Sequence, residues 1–99
     1  MKTLTLCALM LVSPAAAATL NTPRCETIGE LAGLIMRNRQ EGTPLAKMLE
    51  GTEGVTFIRR LVLIAYNVEQ FDTVGARNDA AEYFQTTVEL ECYSLGDVN

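Results

Sequence analysis

Few side chains in this chain could do chemistry. There is no histidine, and the only serine outside the first eighteen residues is Ser94, so serine–histidine and cysteine–histidine nucleophiles are excluded. The acidic residues follow no calcium-loop spacing. Glu26 with Glu30, or Glu89 with other acids, would make an acid/base pair only if buried, and helical spacing turns both outward. The reading is a protein that is not an enzyme, with no catalytic residue, no metal and no cofactor. What remains is sulfur and guanidinium chemistry. Cys25 and Cys92 are the thiols left once the N-terminal Cys7 is set aside. Arg39 follows the line of an apolar helical stripe, and Arg59 and Arg60 are adjacent.

The two thiols depend on where the chain resides. Lys2, an apolar run from Leu4 to Val12, and the small residues Ala16 and Ala18 form the three-part pattern of a secretory signal peptide. The run falls short of the roughly 20 residues a spanning helix needs. Cys7 lies inside the run, where lipoprotein processing has no room. The expectation is residues 1–18 as signal peptide and 19–99 as a single helical domain, periplasmic or secreted, with no stable membrane anchor after cleavage. In an oxidising compartment an even cysteine count reads as a disulfide between Cys25 and Cys92. Closing so long a loop is worth roughly 4 kcal/mol in the chain-entropy model, a large share of the stability of so small a domain. The chain holds twelve acidic against eight basic side chains, a net charge of −4, which argues against nucleic acid and anionic membrane surfaces as partners.

Four helices are expected to position these groups. Thr22 with Pro23 marks one start for the first, and the capping box Thr27–Glu30 marks another. Ile28, Leu31, Ala32 and Ile35 share a stripe, and Gly42 stops the helix. Thr43 and Pro44 open a short second helix through about Glu50. Residues 55–71 carry Phe57, Ile58, Leu61, Val62, Ile64, Ala65 and Val68 on one broad arc. A strand competes for that segment, but the length and the helical return of polar residues favour a helix, expected to be the central one. The last helix begins after Asp72 or Thr73 and runs to about Tyr93. Its inner stripe is Ala80, Ala81, Phe84, Val88 and Cys92, with Glu82, Thr86 and Glu89 turned away. The fold class is all-α: a small bundle of three long helices and one short helix, closed by one disulfide.

Each remaining feature has two readings. Arg39 covers the core edge with its stem and caps carbonyls, or pairs with Glu69, Asp72 or Asp79; alternatively it anchors a partner or a ligand carboxylate. Gly29 and Gly33 each cost a helix roughly 1 kcal/mol; they admit a neighbouring helix, such as the short second one, or form a groove for a partner. Arg59 and Arg60 lie on a solvated polar strip or form a two-residue cationic site. Leu63, Tyr83, Leu90 and Tyr93 fall off the inner stripes, as an exposed recognition patch or as a seam against another helix or a second subunit. Phe57, Leu61 and Phe84 line a cavity or fill a packed core.

The segments "IMRNRQEGTPLAKML", "LVLIAYN" and "YFQTTVELEC" occur in an order that resembles a group of short, signal-bearing, two-cysteine proteins of tailed phages, prophages and proteobacteria. Arg39, Gln40, Gly42, Met48, Ala65, Tyr66 and Cys92 carry the resemblance, which covers most of the chain beyond the signal segment. It implies export and a helical fold, and no activity. In size, helix content and single disulfide the chain is also similar in architecture to periplasmic acid-stress chaperones of the Hde type, although the span between the cysteines is longer and no motif is shared. Together these readings lead to an exported protein-binding module with a partner in the cell envelope, chaperone-like or an inhibitor of an envelope protein, monomeric or a homodimer. A small apolar-ligand carrier is the alternative.

Overall fold

A computed structural model describes residues 21–98, and within them side chains over 24–96. The expected signal peptide, residues 1–18, lies outside these residues. The helices are α1 (Asn21–Glu41), α2 (Leu45–Leu49), α3 (Thr56–Tyr66) and α4 (Val74–Val98), and no strand occurs among the described residues. Among the described residues, the all-α bundle of three long helices and one short one is what the periodicity predicts.

α1 is already helical at Asn21, ahead of either expected start. It ends where Gly42 takes a φ of +92°. The Gly42 N–H donates to the carbonyl of Arg39 and the Thr43 N–H to that of Asn38, the paired closure in which a left-handed glycine satisfies orphan carbonyls. Thr43 does not cap α2 as expected. Its hydroxyl bonds Asn38 Oδ1 at 3.1 Å, and Pro44 occupies the cap position in extended geometry. At the start of α4, Thr73 is the cap, its Oγ1 accepting from the Ala76 N–H at 3.1 Å. α4 then continues through Gly96 to Val98, beyond the expected end at Tyr93.

The helix over 55–71 is the largest departure from expectation: it is shorter and it is not central. α3 stops at Tyr66 because α1 captures the next backbone groups. Gln40, only 2% exposed, donates from Nε2 to the Glu69 carbonyl at 2.9 Å and accepts at Oε1 from the Phe71 N–H at 2.8 Å. Arg39 Nε donates to the Val68 carbonyl at 2.9 Å. Tyr66 Oη returns the tie by donating to the Thr43 carbonyl at 2.6 Å, and Arg77 Nε donates to that of Phe71 at 2.7 Å. Residues 67–73 therefore run as a loop clamped to the C-terminal end of α1, its polar backbone satisfied from outside.

The central helix is α1, which packs along α4 and also carries α3, whereas α3 and α4 touch each other only sparsely. The reason lies in the glycines. A Cβ on Gly29 would stand 3.0 Å from Glu89 Cβ and 3.2 Å from the Gln85 carbonyl oxygen, and one on Gly33 would stand 2.5 Å from Gln85 Oε1. The helix they admit is α4, not the short second helix. Glu89, read as pointing away, is half-buried against that contact. Ala32, Ile35 and Met36 of α1, Leu61, Val62 and Ala65 of α3, and Ala81 and Phe84 of α4 form the core. Cys25 and Cys92 are joined, with their Cα atoms 5.5 Å apart, pinning the start of α1 to the latter part of α4.

Candidate functional site

Because α3 leans on α1 and diverges from α4, the bundle has an open seam near the disulfide. The seam is a groove of about 610 Å³. Its floor is Cys25, Ile28, Leu61, Phe84, Val88 and Cys92, buried or half-buried. Phe57 and Ile64 of α3 form one wall and Leu95 of α4 the other. Phe57 and Ile64 are expected on the buried arc, yet Phe57 is 48% and Ile64 46% exposed, since no helix among the described residues closes over them. Arg24, Arg60 and Glu91 stand at the rim, all exposed. Among the described residues neither Arg24 nor Arg60 has a side-chain hydrogen bond or an ion pair.

The side chains singled out from the sequence lie elsewhere. Arg39 is half-buried, spent on the Val68 carbonyl and stacked with its guanidinium carbon 5.2 Å from the centroid of the Tyr66 ring; among the described residues it bonds this carbonyl and not Glu69, Asp72 or Asp79. Arg59, expected in solvent, is half-buried, and its Nη1 donates to Thr52 Oγ1 at 3.3 Å. Leu63 is exposed on α3, and Tyr83 and Leu90 are exposed on α4, Tyr83 by 75%. Their spacing of seven puts Tyr83 and Leu90 on the same side of α4. Tyr93 is half-buried. Partial desolvation, then the negative charges of Glu89 and Glu26, raise its phenol above the ordinary value. None of these lines the groove.

Phe57, Leu61 and Phe84, read as a cavity lining or a packed core, do both: Leu61 and Phe84 belong to the core cluster and all three face the groove. Sequence reasoning missed the rim. Arg60 reads as a polar-strip residue or as half of a cationic site with Arg59, and Arg24 enters the sequence reading only as one of the basic residues. A signal existed in the three-residue spacing of Phe57 and Arg60, which places a cation one turn from an aromatic on the same side of α3.

Among the described residues no group of three or more histidine, cysteine, aspartate or glutamate side chains could hold a metal ion, and no helix is long and apolar enough to cross a membrane. No family model, curated protein or solved structure matches this chain. The functional argument therefore rests on the groove and on the disulfide beneath it.

Proposed function

We propose that the protein is an exported, non-enzymatic binding module, periplasmic or secreted, whose groove holds a small apolar ligand. The groove carries this reading. A volume of about 610 Å³ falls within the roughly 300–1,000 Å³ typical of small-ligand sites, and its walls leave an aromatic and two aliphatic side chains in water that a ligand would cover. Covering such surface is worth about 25 cal/mol per Å². The disulfide at the floor supports an oxidising location. Native mass spectrometry of protein recovered from the envelope tests the proposal: a discrete small-molecule adduct, lost in a Phe57→Asp variant that still folds, is expected. Bare protein, together with no uptake of any apolar probe, refutes it.

A protein-binding role, chaperone-like or inhibitory, is the second reading, favoured by the exposure of Leu63, Tyr83 and Leu90. These residues are single side chains on two helices, and isolated exposed apolar residues are ordinary, so the groove ranks ahead of them. Capture of an envelope partner by the wild type, lost with Leu63→Asp or Tyr83→Ser, would reverse the order.

A further inference from the structure

From the rim of the groove we infer the chemical class of its ligand: a single long acyl chain ending in a carboxylate, that is, a free fatty acid, with the chain along the floor and the carboxylate at Arg24 and Arg60. The inference rests on the ligand-binding reading above and goes beyond it in naming the head group.

The first argument is charge. The chain has twelve acidic and eight basic side chains, yet among the described side chains, residues 24–96, the groove rim reverses that balance, with Arg24 and Arg60 against Glu91. Arg37, Arg39, Arg59 and Arg77 are all committed to oxygens within the fold, whereas the two rim guanidiniums are bonded to no described residue. A guanidinium is a planar fork suited to a carboxylate, and these two border a surface that is otherwise almost wholly apolar.

The second argument is size, and it separates an acyl chain from a peptide helix. A helix about 10–12 Å across with a 5.4 Å pitch displaces roughly 400–600 Å³ per turn. A helix in a groove inserts only the side chains of one face, spread over about two turns, whereas the groove's 610 Å³ is of the size that encloses one small ligand. A flexible chain fills the same volume lengthwise.

The test is a fluorescence titration of the delipidated, disulfide-intact protein with cis-parinarate, a fluorescent fatty acid, and with its uncharged methyl ester; the protein has no tryptophan to interfere. Saturable binding of one parinarate per chain is expected, at least tenfold tighter than the ester, displaced by palmitate and not by cetyltrimethylammonium. In the Arg24→Ala/Arg60→Ala double variant the acid should fall to the level of the ester, while in Glu91→Gln it should bind more tightly. Both rim arginines are exposed, so a circular dichroism melt matching the wild type is expected of the double variant. If acid and ester bind equally, or the double variant keeps the preference, the carboxylate assignment is overturned and the apolar-ligand reading stands. If neither probe binds, or light scattering shows a dimer with the groove covered, both are overturned. Displacement of parinarate by an amphipathic helical peptide alone, and not by palmitate, overturns the acyl-chain assignment in favour of a protein partner.

Discussion

Replacing Gln40 by methionine isolates the interaction that shapes the molecule beyond α3. Methionine matches glutamine closely in length, so the volume at this nearly sealed position is kept and only the amide is lost. Three hydrogen bonds disappear: those to the Glu69 carbonyl and from the Phe71 N–H, and a weak one from Nε2 to Met36 Sδ at 3.6 Å. Each is worth about 0.5–1.5 kcal/mol net, and a buried group left without a partner costs about 1–3. Residues 69 and 71 are only partly covered, so water recovers some of that cost and the net loss is about 2 kcal/mol. For a domain of this length, 1 kcal/mol corresponds to about 4–8 °C in Tm, so Gln40→Met should melt roughly 8–16 °C below the wild type by circular dichroism under oxidising conditions. The Phe71 amide should also exchange with solvent faster. Gln70→Ala is the control: Gln70 is exposed and its amide donates to the Gln40 carbonyl from 3.2 Å, so its loss should cost less than about 0.5 kcal/mol. A Gln40→Met protein melting within about 2 °C of the wild type, with Phe71 exchange unchanged, would refute the claim that this side chain ends α3.

Gly29→Ala should cost about 1 kcal/mol in urea unfolding, because overpacking of about 1–3 kcal/mol against Glu89 Cβ and a backbone carbonyl exceeds the roughly 1 kcal/mol of helix propensity regained. Gly33→Ala should stay within about 0.5 kcal/mol of the wild type, since its closest contact is the movable end of the Gln85 side chain. Reducing the Cys25–Cys92 bridge, which spans 67 residues, should lower stability by about 4 kcal/mol, read as the shift in urea midpoint with and without reductant. Burial first, opposed by the Arg39 charge, raises the Tyr66 phenol above its ordinary value. The folded state thus holds that proton more tightly, a contribution complete below pH 10 and lost as pH climbs through the folded-state value. Stability measured from pH 9 to 12 should fall less steeply in Tyr66→Phe than in the wild type.

Helix number, type and most boundaries were legible because apolar spacing and the local signals Gly42, Pro44 and Thr73 act within a few residues of themselves. The end of α3 was not. "NVEQF" holds no helix breaker, and the stop comes from Gln40 and Arg39, about thirty positions earlier in the chain. A fully buried amide such as that of Gln40 is invisible to hydropathy, which ranks glutamine as a surface residue. The Gly29–Gly33 pair announced a close approach, but spacing on one helix cannot say which helix arrives, so the central position was assigned to residues 55–71 instead of α1. The groove was half-legible. Phe57, Leu61 and Phe84 could be grouped from their stripes, while the divergence of α3 from α4, and with it the place of Arg24 and Arg60, depends on an interhelical angle that no single helix encodes.

The clamp and the groove meet on one helix: Val68, Glu69 and Phe71 are tied down just past the last turn of α3, while the groove runs along it from Phe57 to Ile64. α3 takes little bracing from α4 and is held instead on α1, through Leu61, Val62 and Ala65 in the core, and by the clamp at its C-terminal end. A ligand against Phe57 and Ile64 would therefore brace the helix whose end Gln40 clamps, and occupancy is expected to register as slower solvent exchange of the Phe71 amide.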